Sequence, residues 1–271
     1  MHVTIHYIYY KYRFHDIMAS KKRILPSWMK LCESEKFKEE NVESSPKKCR
    51  ETRILEAGET FSQILSDSMK EMSFSGSLVY SHHKSDCNLL CEEIEMALCD
   101  KVGAFIGFDM EWPVTYRPGR QAKTAVLQLC TAADVCYVFH LSCIGGLPFG
   151  LRQLLLSPKV FKVGVGIQSD LWKLERDFGI SVGPVLKSSV VDLSDYANQA
   201  LKTRETWSLD GLVRHLFGEK INKNPSLRKS DWSEFPLSDL QQRYAATDAY
   251  VSYLIYEKLN KMMNNVVVSK T

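Results

Sequence analysis

Residues 104–112 (AFIGFDMEW) limit the possible folds most, because this apolar run has the length of a buried strand yet contains two acids. Side chains alternate between the faces of a strand, so Asp109 and Glu111 project from the same face. Two like charges on one buried face need a compensating group. Carboxylates suit hard divalent cations such as Mg²⁺ or Mn²⁺. The run therefore suggests a cation site on a sheet, although Asp-x-Glu alone is a weak signal that often occurs on surfaces.

Composition sets broad bounds on the rest of the chain. The 271 residues, 45% of them hydrophobic, are enough for one domain of about 180–200 residues and an additional arm. The formal net charge of +3 does not by itself indicate a nucleic-acid-binding protein, so a phosphate-binding surface would require local clustering of basic residues. The eight cysteines include no Cys-x-x-Cys pair, which favours reduced thiols.

The pattern predicts an N-terminal arm over residues 1–73, a domain over residues 74–262 and a tail over residues 263–271. The arm is rich in Lys, Glu and Ser, so we expect it to be mostly disordered. Residues 1–17 lack the apolar core of a signal peptide or membrane span, and we expect them to be an extension upstream of Met18. No membrane partner is expected. The island Leu25-Pro26-Ser27-Trp28-Met29 suggests either a docking peptide for a protein partner or local packing on the domain.

Periodicity within the domain predicts a mixed α/β fold. An edge strand is expected at residues 75–81, followed by a helix at 86–98 with Asp86 as its N-cap. Three strand-like runs at 105–112, 124–131 and 135–141 have short connections typical of antiparallel hairpins. Helices at 147–156, 168–178, 208–217 and 238–259 then alternate with strands at 160–166 and 190–191. This order predicts a mixed sheet covered by helices.

Two later segments supply more acids. Asp170 is expected in the first turn of a helix that follows a buried strand, where the helix dipole also favours an acid. Glycines beside that turn allow close backbone approach at a strand end. Tyr244 and Asp248 have i, i+4 spacing and therefore share one face of the final helix. Each residue alone is more often structural, but together with Asp109 and Glu111 they provide the groups that two cations bridging a phosphodiester require.

These segments resemble, in order and spacing, the three exonuclease motifs of the DnaQ-like family, tyrosine subclass (DEDDy). Linking segments match as well, namely residues 124–130 (TAVLQLC), 206–209 (TWSL) and 231–237 (DWSEFPL). The resemblance covers about residues 74–260 and is strongest to exonuclease domains of the Werner type, whose extreme N-terminus the segment at 25–29 also resembles. It implies an RNase H-like (DnaQ-like) α/β fold with antiparallel first strands and helices on both faces.

The same resemblance implies a nuclear 3′–5′ exonuclease that removes nucleoside 5′-monophosphates from DNA 3′ ends in repair or replication. Its four acids, Asp109, Glu111, Asp170 and Asp248, would hold two Mg²⁺ or Mn²⁺ ions, and Tyr244 would orient the attacking water. The expected substrate is a duplex with a recessed 3′ end. Werner-type proteins continue into a helicase, whereas this sequence has no Gly-x₄-Gly-Lys-Ser/Thr loop, so we expect no ATP site. The chain is then either a truncated form or a stand-alone exonuclease.

Further residues are candidates for substrate contact, and each has a structural alternative. The candidates are Met110, Trp112, Trp172, Arg117, Arg120 and Lys123. The first two could wedge against a terminal base, but strand alternation also buries such residues. Trp172 is either a DNA contact or a core tryptophan, and the three basic residues either hold phosphates or belong to a solvated loop.

Two other functions stay open at this point. An RNA 3′-end trimming exonuclease of the RNase D type is possible, because no residue reports recognition of the 2′-hydroxyl. A catalytically silent nucleic-acid-binding module is the other alternative. That alternative predicts a missing carboxylate, and none of the four is missing.

Overall fold

The computed structural model describes residues 68–98, 100–115, 119 and 121–268, so residues 1–67 of the predicted arm, with the Leu25–Met29 segment, lie outside the described residues, whereas its last residues, 68–73, are described and include a short strand. A six-stranded mixed sheet with strand order β2-β5-β4-β3-β6-β7 organises this part of the chain, and β1 and β8 form a separate two-stranded sheet. The strands are β1 (Glu71–Met72), β2 (Ser77–Ser81), β3 (Phe105–Glu111), β4 (Val126–Ala132), β5 (Val135–His140), β6 (Phe161–Gly164), β7 (Val190–Asp192) and β8 (Lys220–Ile221).

Helices connect and cover these strands. They are α1 (Lys84–Leu98), α2 (Leu141–Ile144), α3 (Phe149–Leu156), α4 (Ile167–Phe178), α5 (Gly183–Ser188), α6 (Leu193–Leu201), α7 (Leu209–Phe217), α8 (Pro225–Arg228) and α9 (Asp239–Val268). Among the described residues, no helix combines the length and apolarity that a membrane crossing requires.

Strand pairing confirms the predicted mixed α/β class. β3, β4 and β5 form an antiparallel meander, as their short connections predicted. β2 lies at one edge of the sheet and pairs in parallel with β5, while β6 and β7 extend the other side in parallel with β3. The central strand β3 therefore has an antiparallel neighbour on one side and a parallel neighbour on the other.

Apolar clusters on the two faces show that helices cover both sides of the sheet. On one face, Ile106, Phe108 and Met110 of β3 belong to a buried cluster with residues of α1, α3 and α4. On the other face, β4 and β5 pack against the small residues of α9. Because successive side chains of a strand alternate, the two acids of β3 lie on the face that α9 covers.

Several local predictions were wrong in detail. Asp86 is not an N-cap, because α1 begins at Lys84 and Asp86 lies in its first turn, where its carboxylate accepts a hydrogen bond from Ser85. The helix predicted at 147–156 begins at Phe149, since Pro148 is its extended N-cap residue. The final helix continues to Val268 rather than ending at Leu259. The short elements α2, α5, α6, α8, β1 and β8 were not predicted.

Candidate active site

Asp109 and Glu111 are positioned by the pairing of β3 with β4. Asp109 lies opposite Gln128 and Glu111 opposite Val126 in the antiparallel register. The intervening Met110 points into the core of the opposite face and is 3% exposed. The apolar residues of β3 therefore anchor the strand, while its two acids share the face covered by α9.

The final helix brings Tyr244 and Asp248 to the same face. Its residues Ala245, Ala246 and Ala249 are fully buried against β4 and β5, so small side chains let the helix lie close to the sheet. The buried ring of Trp232 packs against Tyr244 with 6.0 Å between ring centroids. This packing fixes the orientation of the phenol that lines the cleft.

Asp170 enters from the turn between β6 and α4. Gly166 precedes α4 in the left-handed conformation with φ 70°, which a glycine adopts without strain. The Gly166 backbone N–H donates a 2.9 Å hydrogen bond to Asp192, which ties the turn to the end of β7. Asp170 then lies in the first turn of α4, as the sequence predicted.

One cleft of about 520 Å³ contains all four acids and the phenol. Carboxylate oxygens of Asp109, Glu111 and Asp248 lie within 4.8 Å of one another, close enough to share a metal ion. Asp170 lines the same cleft but is not part of this close trio. The cleft therefore has one compact set of oxygen ligands and one acid beside it.

Burial and mutual repulsion make the acids of the cleft hard to ionise. Burial raises the pKa of Asp109 and Glu111 well above their usual values, and the carboxylate of Asp248 raises both pKa values further. Burial also raises the pKa of Asp170 and of Asp248 to about 7. The pKa of Tyr244 is raised by burial and by Asp248.

These residues fit a divalent cation. An ionised set of buried carboxylates is stable only when positive charge is added to it, and a bound cation supplies that charge. The ligand atoms are all carboxylate oxygens, the donor type that suits Mg²⁺ and Mn²⁺ better than softer metals. The acids that could hold metal ions are thus in place.

Two basic residues at the cleft were missed by the sequence analysis. Arg228, at the end of α8, lies near enough to lower the pKa of Glu111, Asp248 and Tyr244. Lys223 lines the cleft and forms a 2.9 Å ion pair with the buried carboxylate of Asp210. Neither residue belongs to a periodic pattern, so nothing in the sequence set them apart from the other basic residues.

The other candidate contacts occupy different environments. Trp112 lines the cleft and is half-buried, with Nζ of Lys173 4.8 Å from its ring centroid. Trp172 is 50% exposed, so the core-tryptophan alternative is wrong. Lys123 is exposed and lies over the ring of Phe178. Arg117 and Arg120 lie outside the described residues.

A buried ion pair holds the segment after β3 against α4. Lys173 pairs with Asp177 at 2.9 Å, and both side chains are at least nine-tenths buried. Lys173 also donates to the Ala122 carbonyl at 2.6 Å, and Asp177 accepts from both the backbone N–H and the hydroxyl of Thr124. These contacts fix residues 122–124 just before β4 and place the lysine over Trp112.

Comparisons of this chain with known proteins find similarity to 3′–5′ exonucleases. The family described as 3′–5′ exonuclease matches residues 83–264. Mouse bifunctional 3′–5′ exonuclease/ATP-dependent helicase WRN is 43% identical over 244 residues, a match that covers 90% of this chain and only 16% of the mouse protein. A 3′–5′ exonuclease of Arabidopsis thaliana is 34% identical over 72% of this chain and 67% of its own length. Escherichia coli RNase D, an exoribonuclease involved in structured RNA processing, has a similar fold, with a TM-score of 0.56 and 20% identity over 71% of this chain and 46% of that chain.

Proposed function

This chain belongs to the 3′–5′ exonuclease family, and we propose that it removes nucleoside 5′-monophosphates from the 3′ ends of DNA. The observation that carries the proposal is the convergence of four acids and Tyr244 in one cleft, with oxygens of three acids within 4.8 Å of one another. Hydrolysis of a phosphodiester needs compensation of negative charge, a positioned water and a held phosphate. The residues of the cleft provide a group for each requirement.

The acids are the proposed cation ligands. Two Mg²⁺ or Mn²⁺ ions, held by Asp109, Glu111, Asp170 and Asp248, would neutralise the scissile phosphate and make the attacking water more acidic. The close trio would hold one ion directly. Asp170, which lies outside the trio, would contribute to the second.

Tyr244 orients the attacking water in this proposal rather than deprotonating it. Burial and the neighbouring Asp248 raise its pKa, so the phenol stays protonated at neutral pH. A protonated phenol is a poor base but a good hydrogen-bond donor and acceptor. Packing against Trp232 limits the movement of the ring, which favours a positioning role.

Arg228 and Lys223 are the proposed phosphate contacts. A guanidinium presents several N–H donors in one plane and matches two phosphate oxygens at once. Asp210, itself bonded to the Ile221 N–H and to Arg214, anchors Lys223 at the edge of the cleft. The side chains of Arg228 and Lys223 lie on the α8 side of the cleft. A nucleic-acid strand would therefore be held on that side while its 3′ end contacts the acids.

DNA is the proposed substrate because the sequence of this chain resembles Werner-type exonucleases, and that resemblance implies cleavage of DNA. Identity with mouse WRN is 43%, whereas the likeness to RNase D, at 20% identity, concerns the fold alone. On the same basis we propose the nucleus as the compartment and DNA repair or replication as the role. A duplex with a recessed 3′ end is the proposed substrate structure.

A paired digestion tests the function. The protein is incubated with Mg²⁺ or Mn²⁺ and with a 5′-labelled DNA duplex carrying a recessed 3′ end, alongside the matching RNA and EDTA controls. We expect a metal-dependent ladder that shortens from the 3′ end faster on DNA. Faster digestion of RNA would overturn the DNA assignment and favour an RNA-trimming enzyme. Equal cleavage by an Asp109→Asn variant would overturn the assignment of the acids.

A further inference from the structure

Gln128 is a buried polar residue that the proposed mechanism does not use. Its side chain is fully buried, and among the described residues neither its amide nitrogen nor its amide oxygen has a hydrogen-bond partner. Buried polar side chains are usually paired, because an unpartnered amide destabilises the folded state. His140, which lies on the same face of the sheet, follows the usual rule, since its ring nitrogens contact the Tyr80 hydroxyl and the Trp232 carbonyl. Gln128 is therefore an exception that requires a cause.

The register of the sheet shows which groups surround Gln128. It lies directly opposite Asp109 of β3 and directly opposite Val138 of β5. Directly opposed residues project from the same face, with Cβ atoms about 4.5–5.5 Å apart. Its same-face neighbours along β4 are Val126 and Cys130, so Asp109 offers the strong hydrogen-bond acceptor within this group.

We propose that Gln128 is a positioning residue of the cation site, whose amide N–H donates to the carboxylate of Asp109 when cations are bound. The inference rests on the proposed function, because it requires that Asp109 is a metal ligand. A carboxylate that binds a cation through one oxygen keeps lone pairs free, and an N–H donor from the adjacent strand fixes its rotation. The Met110 backbone N–H already contacts the Asp109 carboxyl, so the amide of Gln128 would be its second protein donor.

This role explains why a costly group is kept under α9. Without a cation, the amide has no partner and the acids repel one another, so the region around Asp109 is optimised for the loaded state. A residue that served only to fill the core would be better as an apolar side chain of the same length. Replacing Gln128 should accordingly weaken cation binding without lowering the stability of the cation-free protein. Replacement of a purely structural residue would not have this combination of effects.

The test compares Gln128→Met with Leu129→Met, measuring Mn²⁺ affinity by electron paramagnetic resonance and Tm in EDTA. Methionine has nearly the same length as glutamine, and Leu129 is a fully buried neighbour that points to the opposite face of the sheet. We expect Gln128→Met to weaken Mn²⁺ binding about 10-fold, with a Tm in EDTA equal to or higher than that of the native protein. Leu129→Met should leave Mn²⁺ affinity unchanged. Gln128→Asn keeps the amide but shortens its reach by one methylene, and the same loss of affinity is expected.

The outcomes distinguish the inference from the proposed function. If the native protein binds no Mn²⁺, both the cation site and the role of Gln128 are overturned. If the native protein binds Mn²⁺ and both variants at position 128 bind it equally well, only the role of Gln128 is overturned. A Tm in EDTA lowered by Gln128→Met would mean that the amide already has a partner in the cation-free protein, which also contradicts the inference.

Discussion

A Cβ atom at Gly107 would lie 2.0 Å from the carbonyl oxygen of Ala249, so the backbones of β3 and α9 are in direct contact at this point. Gly107 precedes Asp109 by two residues and shares its face of the strand, while Ala249 directly follows Asp248. The close approach therefore sets the separation between the acid of the strand and the acid of the helix. A side chain at position 107 would move the two acids apart.

Gly107→Ala is expected to reduce both stability and activity. The added methyl group meets backbone atoms that cannot rotate away, and such overpacking costs about 1–3 kcal/mol of unfolding free energy. Gly183→Ala is the matched control, because a Cβ atom there has no neighbour within 4 Å. Urea unfolding and nuclease assays on both variants test the prediction. An active, fully stable Gly107→Ala variant would show that α9 can shift without consequence for the acids.

Asp248→Asn should raise the stability of the cation-free protein while it lowers nuclease activity. The substitution removes one of several buried like charges, so we expect a higher Tm in EDTA at pH 8, by about 2–5 °C. Activity should fall by at least about 10³-fold, since a lost cation ligand removes several kcal/mol of transition-state stabilisation. The measurements are thermal unfolding in EDTA and single-turnover digestion with Mn²⁺. A lower Tm in EDTA would show that Asp248 is a structural residue stabilised by a partner.

The pH dependence of stability follows from the raised pKa values. Asp170 and Asp248 have pKa values of about 7 in the folded protein, above their usual value of 3.8. The folded state therefore binds protons more tightly, and the associated stability is complete below about pH 4 and lost as the pH rises through about 7. In EDTA, Tm should fall between pH 6 and 8, less steeply in Asp248→Asn, and Mn²⁺ should remove most of the fall.

The comparison with Asp248→Asn is needed because another buried group titrates in the same range. Burial lowers the pKa of Lys162 to about 7, so its contribution to stability increases as the pH rises above 7. This slope opposes that of the acids but is the same in both proteins. An identical pH dependence of Tm in the native protein and in Asp248→Asn would contradict the assignment of a raised pKa to Asp248.

Local periodicity was sufficient to predict which face of its own strand or helix each acid occupies. It was not sufficient to predict that these faces pack against each other. Alternation along β3 placed Asp109 and Glu111 together, and i, i+4 spacing placed Tyr244 with Asp248. That α9 covers the acidic face of β3 depends on contacts between residues more than 130 positions apart in the sequence, which no local pattern encodes. The resemblance to a known family supplied that link at the sequence level.

Most of the missed elements are short and depend on tertiary contacts. β8 is held by the hydrogen bond from the Ile221 N–H to Asp210, and its partner strand β1 lies about 150 residues earlier. Lys223 and Arg228 follow this strand, so their position at the cleft could not be predicted without it. The helix α6 had a usable signal, because Asp192 caps it by accepting from the Ser194 N–H at 2.9 Å.

Arg228→Ala should weaken substrate binding more than it slows the reaction. Loss of a charge-assisted phosphate contact, worth about 1.5–3 kcal/mol, corresponds to an increase in KM of about 10- to 150-fold. The salt dependence of binding should also become shallower by about one unit of slope. Lys229→Ala, which changes the adjacent exposed basic residue, is the matched control. An unchanged KM in Arg228→Ala would mean that this residue does not contact the substrate.

Lys173→Met should destabilise the protein strongly, because it leaves the buried carboxylate of Asp177 without its cation. Burial raises the pKa of Asp177, but hydrogen bonds from Lys173 and Thr124 outweigh this effect and keep the pKa below its usual value. Breaking such a buried pair costs about 3–5 kcal/mol of unfolding free energy. Arg176→Met is the control, since this arginine is 61% exposed and lies 3.8 Å from the same carboxylate, a surface contact worth about 0–1 kcal/mol.

The double variant Lys173→Met/Asp177→Leu distinguishes two causes of the loss of stability in Lys173→Met. One is the uncompensated charge of Asp177, and the other is the loss of the contacts that attach residues 122–124 to α4. Removing both charges eliminates the uncompensated carboxylate, so stability should recover relative to Lys173→Met alone. The recovery should be partial, because the Thr124 N–H and hydroxyl lose their acceptor and residues 122–124 lose their attachment to α4. Urea unfolding of the single and double variants measures both effects. Equal stability of Lys173→Met and Arg176→Met would show that the buried pair contributes no more than a surface contact.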